Sequence, residues 1–108
     1  HLVRSRGLGD VYKRQVYKIS CAGCHQADGN GIPGIFPALN GSSIVQGPAD
    51  GHIAVLINGI AGSSMQSFAD QLSEVDIAAV IHYKRNTWDN SVGDIVQPVD
   101  VLNFKTAQ

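Results

Sequence analysis

Cys21, Cys24 and His25 are the densest chemistry in this 108-residue chain, being its two cysteines and the histidine directly after the second. Positions i, i+3 and i+4 of a helix share a face, so both sulfurs and the imidazole converge on one object. A porphyrin suits that convergence. Its two vinyl groups each accept a thioether bond from a cysteine, and the iron then lies over His25 as an axial ligand. Three other chemistries compete. A disulfide across two intervening residues is strained and closes a trivially small loop. Zinc needs about four ligands, and no second Cys pair or spaced His pair completes a set. A thioredoxin-like redox pair expects a strand before the motif and a βαβ context, which the sequence lacks. One covalently attached haem c is the reading the residues favour.

A second axial ligand is then the question. Met65 is the single methionine and stands 40 residues beyond His25, in the segment GSSMQSF. A thioether in a loop able to fold over the open haem face gives His/Met iron, which raises the reduction potential relative to two histidines and closes the site to small ligands. Methionine is also common core filler, but Met65 lies between Gly62 and Phe68, outside any helical stripe. His52 and His82 are competing ligands, each more simply a surface or satisfied core histidine. His25 also needs an acceptor for its other ring N–H, which fixes tautomer and ring plane. The best candidate is the Pro37 carbonyl in FPAL, where proline fixes the loop, with a plain loop proline as the alternative.

These residues require elements to hold them. Val16 to Ser20 reads as the end of a helix running into CAGCH, and the turn formers Asp28-Gly29-Asn30-Gly31 and Pro33-Gly34 make Gln26 to about Gly41 a loop. Asp50 is a plausible N-cap for a short helix carrying Ile53, Leu56 and Ile57 on one face, with Gly59 as its stop and an exposed histidine expected at His52. Ser73 and Asp76 resemble a capping box opening the clearest helix, about Glu74 to Trp88. Ile77, Val80, Ile81, Lys84 and Trp88 line one face of it, the Lys84 stem lying along the apolar stripe. The tail from about Asn90 is expected to be largely irregular.

Composition bounds the rest. The chain is long enough for one core, with 44% apolar residues and only 16% charged. No apolar run approaches the ~20 residues that cross a bilayer, and no export signal is legible. With Phe36 set aside as a loop residue, six aromatics make a thin core, which a buried porphyrin would fill. Ser5 to Gln15, SRGLGDVYKRQ, resembles the in-frame translation of a transposon adapter used in sequencing-library preparation, so residues 1–15 are expected to be non-native and 16–108 the natural domain. The alternative is a genuine helix start. The formal charge of -1 hides an asymmetry: without residues 1–15, 4 basic and 8 acidic side chains remain, a net -4. Such a domain lacks the basic stripe of a nucleic-acid binder and favours basic or weakly charged docking partners.

CAGCH, FPALNGS, the NG-then-Met segment and the C-terminal helix together resemble a class I cytochrome c. More narrowly, the run from VYKISCAGCHQADGNGIPGIFPALNGS through MQSFADQLSEVDIAAVIHYKRN to GDIVQPVDV is similar to the cytochrome c domain fused to the C-terminal end of subunit II in some bacterial haem-copper oxidases. The resemblance implies an all-α cytochrome c-like fold, three to four helices and long loops wrapped around one covalent haem. It assigns the thioether cysteines to Cys21 and Cys24, the proximal ligand to His25, the distal ligand to Met65 and the histidine-orienting carbonyl to Pro37.

It further implies one-electron transfer with no catalytic residue. Electrons would come from a donor protein, a cytochrome c or a quinol-cytochrome c reductase, and pass to the dinuclear copper centre of a terminal oxidase on the periplasmic side of the inner membrane. Any membrane attachment is expected from upstream segments. A free periplasmic carrier serving a dehydrogenase is the alternative, and a gas-binding or enzymatic haem protein would need an open sixth position, against which Met65 argues. Two departures from the family stand out. A small residue, usually glycine, is expected where Lys13 stands, at a close crossing of the first and last helices, so Lys13→Gly is expected to stabilise the protein. Ile60 replaces a basic residue often found near the haem propionates.

Overall fold

The computed structural model describes the backbone of residues 2–108 and the side chains from Val11 onward. Six helices follow one another: α1 Leu2–Ser20, α2 Ala22–His25, α3 Ser43–Gln46, α4 Ala49–Asn58, α5 Glu74–Arg85 and α6 Pro98–Ala107. Two of these, α2 and α3, are single turns, so the frame is four longer helices joined by loops. Among the described residues the only strand-like pairing is an isolated bridge between Ile32 and Phe36. The expectation of an all-α fold with three to four substantial helices and long loops is met.

The core forms where α1 crosses α5 and α6 returns across α5 and α4. Ile77, Val80 and Ile81 of α5 are fully buried, as are Leu56 of α4 and Val101 of α6. Their spacing on α5 is the apolar stripe anticipated from sequence, and the helix starts where the capping box places it. Ser73 Oγ accepts from the Asp76 amide at 3.1 Å, answering one of the orphan donors at the helix start. Against the tail of this crossing Tyr17, Tyr83 and Trp88 pack as a ring cluster with centroids 5.3 to 5.9 Å apart.

Four expectations need correction. α5 stops at Arg85 rather than Trp88, because Asn86 leaves the helical conformation and Trp88 adopts a φ of 59°. That turn lets the indole N–H of Trp88 donate to the Ala27 carbonyl at 3.0 Å, tying the loop after the cysteine motif to the end of α5. Pro48, not Asp50, is the N-cap of α4, and Asp50 lies in its first turn, where a carboxylate favours the helix dipole. The tail is irregular only up to Gln97. From Pro98 it forms α6, started by a proline in the first turn and by Asp100, whose carboxylate accepts from the Gln97 amide at 2.8 Å.

The fourth concerns Lys13. It lies at the α1–α5 crossing as expected, but its long side chain is accommodated: the ammonium donates to His82 Nδ1 at 2.6 Å. Next to it the Tyr12 hydroxyl donates to Asp76. Ser5 to Gln15 thus lies within α1, and its last residues reach α5.

Candidate functional site

α1 delivers the cysteine motif directly. The Cys21 amide continues its ladder by donating to the Tyr17 carbonyl at 2.8 Å, and the Cys24 and His25 amides then both donate to the Cys21 carbonyl, closing α2. Cys21 is buried and Cys24 exposed, and neither forms a disulfide. Burial pushes the Cys21 thiol up, so it lacks the depressed pKa that a thioredoxin-like nucleophile requires. Among the described residues no three His, Cys, Asp or Glu side chains gather as a metal site.

His25 Nδ1 donates to the Pro37 carbonyl at 2.8 Å. A carbonyl can only accept, so the proton is on Nδ1 and the lone pair on Nε2. Burial holds the imidazole below its ordinary pKa, which favours this neutral, metal-binding form. The contact depends on a residue the sequence reading did not single out. Gly31 has φ +64°, donates its amide to the His25 carbonyl at 2.9 Å, and lies so close to the Phe36 and Pro37 carbonyls that a Cβ would stand 2.4 to 2.6 Å from them. Only glycine lets the two arms of this loop approach as they do.

Met65 is brought in by the end of α4. Gly59, at φ +69°, closes the helix, and a Cβ there would come within 2.8 Å of the Met65 carbonyl. The Ile60 amide donates to that same carbonyl at 2.9 Å, and the Phe68 amide donates to Leu56 O at 2.8 Å. The segment carrying Met65 is therefore folded back on α4, with Phe68 buried beneath it.

Cys21, Cys24, His25, Pro37 and Met65 all line one cavity of about 320 Å³. The residues singled out from sequence for this chemistry are thus brought to the same place, from the α2 turn and two separate loops. Of the competing ligands, His82 is at the α1–α5 crossing beside Lys13, while His52 does line the cavity. The expectation that His52 is exposed is reversed: it is 2% exposed, because the inward face of α4 includes it along with Ile53 and Leu56. Lys84 also lines the cavity, and Ile60 stands at its edge, 45% exposed.

The frame around the cavity is held by two polar residues that pattern reasoning passed over. Asn90 accepts from the Gly41 amide at 2.8 Å and donates to the Leu39 and Lys84 carbonyls, clamping the loop to α5. Arg85, buried, grips both oxygens of Asp94 at 2.9 and 2.6 Å and donates to the Val45 and Gly47 carbonyls. The asparagine and the arginine are not distinctive in sequence, because partners 6 to 51 residues away give them their roles.

The donor set fits a haem: two unpaired thiols, an imidazole whose Nδ1 is already committed, and a thioether sulfur, all on one largely apolar cavity. Comparison with known proteins agrees. Residues 13–83 match the family described as cytochrome c oxidase, cbb3-type, subunit III. Cytochrome c-552 of Thermus thermophilus is 39% identical over 85 residues, covering 66% of this chain and 64% of that protein. The cytochrome c subunit of alcohol dehydrogenase (quinone) from Gluconobacter oxydans (strain 621H) is 29% identical over 115 residues, 97% of this chain but 24% of that protein. The corresponding subunit of Gluconacetobacter polyoxogenes is 26% identical over a similar span. The chain spans about a quarter of the length of these dehydrogenase subunits and under two thirds of cytochrome c-552. With its cysteine motif, oriented histidine and largely apolar cavity, the chain belongs to the cbb3-type oxidase subunit III family, and is thus a class I cytochrome c, an electron carrier built on covalently bound haem c.

Proposed function

We propose that this domain is an electron-entry module of a terminal oxidase, passing single electrons to the dinuclear copper centre of subunit II, to which it is fused. The observation that carries the site assignment is the His25–Pro37 hydrogen bond on the cavity that Met65 also lines. Cys21 and Cys24 would hold the haem through thioethers, His25 would bind its iron through Nε2, and Met65 would supply a second ligand. When bound, the haem supplies a one-electron couple, its iron alternating between ferric and ferrous. The chain's part is to fix that couple in position. Pro37 sets the plane of the His25 ring, Met65 would keep small ligands off the iron, and the apolar lining would limit water. Loss of the methionine-to-iron charge-transfer band in ferric Met65→Ala, with carbon monoxide now binding the ferrous form, is expected; an unchanged spectrum would reassign the ligand.

The oxidase reading rests on the resemblance of the CAGCH-to-GDIVQPVDV run to subunit II cytochrome domains; the family match names an oxidase as well, but its subunit III. Residues 1–15 are proposed to be foreign, 16–108 the natural domain and the periplasmic side of the inner membrane its location. Among the described residues no helix is long and apolar enough to cross a membrane. The relatives named as dehydrogenase subunits favour a second reading, a carrier serving a dehydrogenase. Anaerobic mixing of the ferrous protein with a soluble copper-bearing subunit II domain discriminates the two. Rapid reoxidation of the haem with matching reduction of the copper band is expected. If that transfer is absent while a quinone-dependent alcohol dehydrogenase reduces the ferric protein promptly, the second reading holds.

A further inference from the structure

Two groups lining the cavity are left unused by the ligand set. Lys84 of α5 is 3% exposed and His52 of α4 is 2% exposed, and both line the cavity. His52 Nδ1 is the one buried side-chain polar atom without a hydrogen-bond partner among the described residues. Lys84 Nζ makes no hydrogen bond among the described residues either, although unlike His52 Nδ1 it is not fully enclosed; it is the carbonyl of Lys84 that is engaged, accepting from Asn90 Nδ2 at 2.9 Å. A buried donor or cation left in this state is costly, so both call for an acceptor that arrives from within the cavity.

Burial drives Lys84 below the ordinary lysine range, so its charged form calls for an anion. His52 is held neutral, pushed down to about 2 by burial and by the cations of Lys84 and Arg85, so it has one N–H to give and no charge. Haem c carries two propionates, and a carboxylate taken into an apolar cavity must be paired and hydrogen-bonded. At the edge of the cavity Ile60 offers neither charge nor donor.

We propose that Lys84 and His52 form a buried carboxylate-binding pair that receives one haem propionate, Lys84 giving the charge and His52 Nδ1–H a neutral hydrogen bond. The pair takes over, from the inner wall, a contact that Ile60 cannot make. Both residues position the haem and neither is catalytic.

The proposal rests on the haem c assignment, and the pyridine haemochrome spectrum tests that separately on every sample. In the ferrous holo-protein, nuclear Overhauser contacts are expected between propionate methylene protons and the Lys84 ε-methylene or His52 ring protons. Their absence, with haem attached, overturns the pair and needs no variant. With ¹³C in the propionate carboxylates, redox-induced infrared difference spectra should show a labelled carboxylate band that shifts in Lys84→Gln and in His52→Gln and returns towards its original place in Lys84→Arg. Labelled bands that superimpose across the wild type and both glutamine variants also overturn it. A missing haemochrome signal in the wild type would instead sink the haem assignment.

Discussion

In the proposed site the Pro37 carbonyl would act on the iron at one remove. By accepting from His25 Nδ1 it leaves the Nε2 lone pair as the only basic position on the ring, and Gly31 makes the approach possible. A Cβ at Gly31 would meet two carbonyls below 3 Å, and its φ of +64° is one that side chains disfavour. Gly31→Ala is therefore expected to push the Pro37 carbonyl away from His25. The measurement is the hyperfine-shifted proton spectrum of the ferric haem, in which the His25 ring protons should move and the midpoint potential should change. Unaltered His25 resonances would show that the loop adapts without disturbing the ligand.

At the scale of elements, two long-range ties set the frame. Arg85 is buried on α5 and holds Asp94 with two parallel hydrogen bonds, and those bonds keep the Asp94 carboxyl below its ordinary range. Since the folded pKa is depressed, the ion pair stabilises the fold fully above the unfolded carboxylate value of about 3.9 and loses this as pH falls through the folded value. Asp94→Asn should lower the melting temperature by a constant amount between about pH 5 and 8, with the gap to wild type closing below about pH 4. A gap that persists at the acid end would assign the loss to something other than charge. The half-exposed side of Asp94 is screened by solvent, so the effect is expected to be modest.

The α1–α5 crossing changes what a substitution there should do. Lys13 donates to His82 and lies in a continuous helix, so Lys13→Gly removes a hydrogen bond and introduces a glycine that costs about 1 kcal/mol in a helix interior. The sign expected from the family pattern is thereby reversed: a fall of roughly 4–8 °C per kcal/mol in melting temperature is anticipated. A rise would mean that tighter helix contact outweighs both losses.

The whole molecule is organised around its cavity. A dry hole of about 320 Å³, at ~24 cal/mol per Å³, would cost about 8 kcal/mol, as large as the total stability of an ordinary domain. The opening of the cavity to solvent makes this an upper bound, and a haem seated there would remove that cost. Cys21→Ala/Cys24→Ala, which prevents covalent attachment, is expected to lose much of its far-ultraviolet helical signal and to melt without a sharp transition. A cooperative transition close to that of the holo-protein would place the stability in the helices instead. The charge belongs to this scale as well: the net -4 of residues 16–108 leaves a basic or weakly charged partner as the natural complement.

What was legible in the sequence was local. The spacing of Cys21, Cys24 and His25 dictates a shared face, the Ser73–Asp76 box sets the start of α5, and a methionine between a glycine turn and Phe68 suggests a loop ligand, because each depends on residues a few positions apart. Even α6 had a local signal in Pro98 and Asp100, masked by a tail that otherwise reads as irregular. Tertiary structure decided which way ambiguous residues face. His52 could lie on either side of a short helix, and only the packing of α4 turns it into the cavity; Lys84 lies on the apolar stripe of α5, and only the cavity shows where its charge is held. Arg85 and Asn90 gain their partners from chain segments far away in sequence, and the free energy of those contacts exists only once the loops have closed.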